Sequence, residues 1–125
     1  MTNPEALAAF VGRFVKAEFR DRFLHEAVKK PKDLHRRVCH DIEKIFDGSY
    51  RGRPAAFQVD DQCLLLGWSS PFTAVSWTDA KAKIDQGGGG YLVVKSDGSA
   101  FYAETEGEPG VAYAGSTQQI NLPGK

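Results

Sequence analysis

The sequence predicts one α+β domain over residues 1–125: two or three N-terminal helices packed on a mostly antiparallel sheet built from hairpins, with one short helix inserted at about residues 77–86. Three observations predict it. Apolar residues recur at helical spacing through a helical half of about residues 1–48, and short β-branched and aromatic runs bounded by turn residues fill a strand-rich half of about 54–122. A chain of 125 residues also suits a single domain, able to bury about two-thirds of its unfolded surface.

Asn3 followed by Pro4 and Glu5 reads as a helix start, because Asn caps free amides, Pro suits the first turn and an acid favours the positive end. Leu7, Phe10, Val11 and Phe14 then share an apolar face, whereas Phe19, Phe23 and Ala27 fall on another. Either the helix breaks near residues 16–18 or one long helix buries two faces. Pro31 disfavours a helical Lys30, and Asp33 is suited to cap a further helix running to Phe46 or Asp47, with Leu34, Val38, Ile42 and Ile45 on one face. Gly48 closes that helix, and GSYRGRP at 48–54 reads as the loop where helices give way to strands.

In the second half, AAFQV and QCLLLGW are strand-like, with Asp60 and Asp61 as a turn between them. Ser76 and Asp79 have capping-box spacing, and Trp77, Ala80 and Ile84 share a face of the helix that follows. Asp97 and Gly98, set between YLVVKS and SAFYAET, give the strongest hairpin signal; a type I′ turn there would pair Val94 with Phe101 and Leu92 with Ala103. Residues 111–114 and 118–122 are candidate edge strands.

Hydrophobic residues at 42% and charged residues at 26% describe an ordinary globular chain, and no apolar run approaches the ~20 residues that span a bilayer, so no membrane partner is expected. MTNPEALAAFVGRF has neither a continuous apolar core nor a small-residue cleavage site, which predicts a cytoplasmic protein. Cys39 and Cys63 are 24 positions apart without a C-x-x-C, a pattern of reduced thiols rather than a disulfide framework or zinc site. No metal and no cofactor is expected.

The four glycines at 87–90 invite a phosphate-loop reading, but such a loop needs the order strand, glycine turn, helix; here a helix comes first and a strand follows. A helix C-cap with a flexible connection is the expectation. GWSSP at 67–71 partly imitates a nucleophile elbow, yet Pro71 replaces the final glycine and all three histidines precede Ser69, the wrong order for an α/β-hydrolase. Asp60 and Asp61 are adjacent and so do not converge as an acid/base pair would. His35 and Cys39, four apart on one helix, are the residues a small enzyme would use, although their place beside the apolar stripe suits packing.

Net charge is zero, but residues 1–53 hold twelve Lys and Arg against eight Asp and Glu, and residues 54–125 hold four against eight. The basic excess centres on Lys29, Lys30, Lys32, Arg36, Arg37, Arg51 and Arg53, with Tyr50 beside the loop arginines. Arginine forks suit carboxylates or phosphates, and a neighbouring aromatic can stack on a base or anchor a protein. The interleaved Asp33, Asp41 and Asp47 suit a plain solvated helix end equally well, and a pI near 6.8 is far from that of a typical nucleic-acid binder; an acidic protein partner is the functional expectation, with nucleic acid as the alternative.

FVGRFVKAEFRDRFLHEAVKKPKDLHRRVCHDI resembles the helical start of small bacterial proteins of unassigned function, in which a KPK-like turn separates two helices before a mixed β region. The resemblance spans about the first 45 residues and implies a bacterial cytosolic accessory protein, with no catalytic residues to carry over. The expected function is a small non-enzymatic binding or regulatory protein, of inhibitor or immunity type, that meets an acidic macromolecular partner through its basic helical face and Tyr50 loop. A nucleic-acid-binding accessory protein and an enzyme using His35 and Cys39 are the other readings.

Overall fold

A computed structural model of the chain describes residues 2–66, 72–87, 90–107 and 110–117. Within them lie helices α1 (Asn3–Phe14), α2 (Arg20–Lys29), α3 (Pro31–His40) and α4 (Trp77–Asp85), and strands β1 (Gln62–Leu65), β2 (Thr73–Ser76), β3 (Tyr91–Lys95), β4 (Ala100–Glu104) and β5 (Ala112–Ser116). Every strand pairing is antiparallel, and the sheet order is β2-β1-β3-β4-β5. This is the α+β class that the sequence predicts, with the capped helix entering between β2 and β3.

The N-terminal helix is capped by Thr2, one residue earlier than the Asn3 start. Thr2 Oγ1 accepts from the Glu5 amide at 3.2 Å, and the Glu5 carboxylate accepts from the Thr2 amide at 2.8 Å, closing a capping box. The two-faced apolar pattern is resolved as a break. Val15 is extended and bridges Phe46, and the Lys16 amide donates to Ile45 O at 2.9 Å, so the chain has to leave the helix. The same pairing corrects the expectation for the third helix: it opens on Pro31 with Lys30 at the cap position and ends at His40, not at residue 46 or 47. Ile45 and Phe46 are drawn out toward Val15 and Lys16, and a short 3-10 turn at Ile42–Lys44 connects them. Asp33 sits in the first turn and pairs with Arg36 instead of capping.

The first three helices cover one sheet face. Leu64, Leu92, Val94 and Phe101 point into that interface, where Phe46 stacks on Phe101 with ring centroids 4.4 Å apart and Phe10 meets Phe101 edge-on at 5.6 Å. Burying each such ring contributes about 1.5–3 kcal/mol, so this aromatic cluster anchors the fold. On the other face Cys63, Leu65 and Val93 meet Trp77 and Ala80 of the fourth helix, whose Ser76 cap accepts from the Asp79 amide at 3.1 Å as expected.

Two strand expectations need correction. Residues 55–59 form no strand, because the first strand is already flanked by the second and third; Phe57 instead stacks on Trp77 at 4.4 Å. The second strand, TAVS, carries no strong signal of its own and forms as an edge. The hairpin register is as expected, with Leu92 opposite Ala103 and Val94 opposite Phe101. Its turn is not type I′: the Gly98 amide donates to Lys95 O at 2.7 Å and, among the described residues, no non-glycine residue has positive φ, so Asp97 is not left-handed. Gly98, at φ +74°, also lies so close to the first helix that a Cβ there would be 2.6 Å from Ala6 O.

The fifth strand extends the expected edge at 111–114, and its outer side meets an Arg51 bridge to Tyr113 and a Gly52 amide donating to Ala112 O at 2.8 Å. The expected strand at 118–122 and the GWSSP elbow at 67–71 lie outside the described residues.

Candidate functional site

The basic residues singled out in the sequence are divided between two ends of the helical layer. The first helix packs against the second with Asn3, Pro4 and Leu7 beside Leu24, Ala27 and Val28 at one end, and with Phe14 and Val15 beside Arg20 at the other. Twelve helical residues separate these ends by roughly 18 Å. Lys29, Lys30 and Lys32 are exposed at the turn between α2 and α3; Tyr50, Arg51 and Arg53 belong to the opposite end.

Arg37 is turned inward. Its Nε donates to Glu26 Oε1 at 3.0 Å and its Nη2 to Glu26 Oε2 at 3.1 Å, while the guanidinium lies 5.4 Å from the Phe19 ring centroid. Glu26 is only 2% exposed. Burial pushes its carboxyl up, but Arg37 and Arg22 more than reverse this and hold it below the usual carboxylate value. Arg37 is therefore a structural counter-ion, whereas Arg36 is an outward residue paired with Asp33 at 2.7 Å.

At the other end, Tyr50 stands on a short 3-10 turn, Gly48–Tyr50, whose Asp47 cap accepts from the Ser49 amide at 2.8 Å. That bond holds the Asp47 carboxyl below its ordinary value, with Lys16 adding to the effect. The Tyr50 ring meets Phe14 at 5.7 Å and Phe101 at 5.5 Å, and the Arg53 guanidinium lies 5.8 Å over it. Arg13, Lys16, Glu18, Arg20 and Asp47 surround it in a concavity of ≈ 380 Å³.

Three cations of this concavity rest on backbone carbonyls. Arg13 Nη1 donates to Asp97 O at 3.3 Å, Lys16 Nζ to Glu43 O at 2.7 Å and Arg20 Nε to Val15 O at 2.9 Å. Sequence reasoning missed all three, because charges near a helix end read as a solvated face until the helix break and the return of residues 45–50 fold them around Tyr50. The only signal present in the sequence was the rotation of the apolar stripe after Lys16.

His35 and Cys39 do come together, with Cys39 Sγ 3.5 Å from His35 Nδ1. The environment opposes nucleophilic use. Burial pushes the Cys39 thiol up, with Glu106 adding to the shift, and burial pushes His35 down, so neither group is driven toward a thiolate-imidazolium pair. Cys39 is 7% exposed, and Cys63 on the far face of the sheet is buried with its thiol pushed up to about 12. In native protein, iodoacetamide is expected to label Cys39 at least about tenfold more slowly than in urea, as befits a buried neutral thiol. A time course read by mass spectrometry checks this; native labelling as fast as unfolded labelling would restore the enzyme reading.

The glycine run ends the fourth helix. The Gly87 amide donates to Ile84 O at 3.0 Å, and the Gly90 amide to Glu104 O at 3.0 Å as the third strand begins. Gly88 and Gly89 lie outside the described residues. Gly90 also packs on the His35 and Cys39 pair, which explains a glycine there without a ligand. Asp61 is engaged by the Gln58 amide at 2.8 Å and by Lys95 at 3.7 Å, so it does not converge with Asp60 on a common point. Among the described residues no group of three His, Cys, Asp or Glu side chains could hold a metal ion, and no helix is long and apolar enough to cross a membrane.

The sequence matches no protein-family model, and neither the curated proteins nor the solved structures yield a significant match to it.

Proposed function

We propose that this chain is a small non-enzymatic binding or regulatory protein, of inhibitor or immunity type, that engages an acidic macromolecular partner through the concavity around Tyr50. One observation carries the reading: Arg13, Lys16 and Arg20 are each steadied by a backbone carbonyl and, among the described residues, none has a carboxylate at ion-pair distance. Ordering a long cationic side chain on binding costs about 0.5–1.5 kcal/mol, and anchoring it beforehand removes part of that cost. Arginine forks then suit the carboxylates of a protein segment.

Arg53, lying over Tyr50, adds a fourth cation against Glu18 and Asp47 in the same region. A protein partner is favoured over nucleic acid because the Tyr50 ring is already engaged by Phe14, Phe101 and Arg53, and a base would have to displace Arg53 to stack there.

The test is a titration of the isotope-labelled protein with poly-L-glutamate and, separately, with single-stranded DNA of matched charge. Poly-L-glutamate is expected to shift the Arg13 and Tyr50 amides in a salt-dependent way, and the double variant Arg13→Glu, Arg53→Glu to bind at least about tenfold more weakly, or ~1.4 kcal/mol. Equal binding by the variant would remove this concavity as the site. Tighter binding of DNA, lost in the variant, would move the assignment to the nucleic-acid reading.

A further inference from the structure

A second surface lies at the far end of the first helix, and it does not depend on the Tyr50 reading. Asn3, Pro4 and Leu7 face Leu24, Ala27 and Val28 across a groove of ≈ 270 Å³ floored by Phe72. Val28 is 65% exposed, one of two large apolar side chains left open among the described residues. Lys29 and Lys30 follow it directly, both exposed and neither within ion-pair distance of a carboxylate among the described residues. The acids close to these residues in the chain are already engaged: Glu5 by the Thr2 amide, Glu26 by Arg22 and Arg37, and Asp33 by Arg36.

We infer that this groove docks an amphipathic acidic segment of a protein partner, one or two apolar side chains entering between Leu7, Leu24 and Val28 while its carboxylates meet Lys29 and Lys30. The volume is below the range of about 300–1,000 Å³ typical of sites that enclose a whole small molecule, but suits the anchors of a helix laid in a groove. Charge chooses the occupant. The unpaired amines favour acid, and segments 67–71 and 118–125 of this chain, which could otherwise be nominated, contain no Asp or Glu. A lipid surface fits less well, because the lining is concave and, of its apolar residues, only Pro4 and Val28 are exposed.

The experiment uses the full chain with labelled Leu and Val methyl groups and a synthetic helical peptide carrying Leu on one face and Glu on the other. Saturable shifts are expected at Leu7, Leu24 and Val28, with binding weakened at least about tenfold by the double variant Lys29→Glu, Lys30→Glu and by Val28→Asp. All three changes fall on exposed positions, so an unchanged spectrum elsewhere shows that folding is intact. Controls are the same peptide with Lys in place of Glu, phosphatidylglycerol vesicles, and dilution of the protein alone.

No saturable shift with the acidic peptide overturns the inference. So does equal binding of the Lys peptide, preferential binding of vesicles, or dilution-dependent shifts that identify a second copy as the occupant. Contacts between the Val28 methyls and Trp68 or Ile120 in the free protein would overturn it too. Failure here leaves the Arg13 and Tyr50 shifts untouched, and failure there leaves these methyl shifts untouched.

Discussion

Arg37→Leu is expected to lower the free energy of unfolding by about 3–5 kcal/mol, far more than its surface-like sequence context suggests. The variant leaves the Glu26 carboxylate buried, with Arg22 at 3.1 Å as its remaining partner. Arg22 is mostly exposed, and water screens it, so it cannot replace the inward fork of Arg37. Urea denaturation measures the loss directly. The matched control Arg36→Leu breaks an exposed pair with Asp33 and is expected to cost less than about 1 kcal/mol.

Two further readouts separate the buried pair from a general packing defect. The double variant Glu26→Leu, Arg37→Leu is expected to regain much of the loss, because no buried charge is then left unpaired. The pH dependence has a defined sign. Glu26 has a folded-state value below its ordinary 4.5, so its contribution is present above that value and is lost as pH falls through the lower folded value. In Arg37→Leu that acid-sensitive component shrinks. An Arg37→Leu protein as stable as the parent would return Arg37 to the list of residues available to a partner.

The second large effect is expected from Gly90→Ala. Gly90 has φ +79°, and an added Cβ would lie 2.5 Å from Cys39 Sγ and 3.1 Å from His35 Cε1. The left-handed backbone costs a non-glycine residue about 1–2 kcal/mol and the overpacking about 1–3 kcal/mol more, so a total of about 2–5 kcal/mol is expected. Gly87→Ala is the control: at φ +88° it carries the backbone cost, but nothing lies within 4 Å of the new methyl. It should lose only the first part. Combining Gly90→Ala with Cys39→Ala relieves the 2.5 Å contact but not the backbone strain, so partial rescue is expected in thermal unfolding. Equal losses at Gly87 and Gly90 would show that the methyl meets no resistance from Cys39.

These two residues show what could and could not be read along the chain. Pro31, the S-x-x-D box at Ser76 and the sequence around Asp97 and Gly98 each act within a few residues, through sterics and local hydrogen bonds, and they mark their elements correctly. The length of the third helix depends instead on Phe46 pairing with Val15, a contact between residues 31 positions apart that no helical pattern records. Residues 55–59 likewise have ordinary strand composition, yet both sides of the first strand are already taken, and Phe57 is held by Trp77.

For function, composition and spacing set out the inventory: a basic first half, two cysteines without a metal or disulfide pattern, and a glycine run in the wrong order for a phosphate loop. How those charges are used follows from the fold. It spends Arg37 on a buried acid, separates Tyr50 from the lysine turn by the length of a helix, and gathers Arg13, Lys16 and Arg20 around Tyr50. The physical reason is that a charge takes its meaning from what lies within a few ångströms of it. Along this chain those neighbours are set by where the helices break and return.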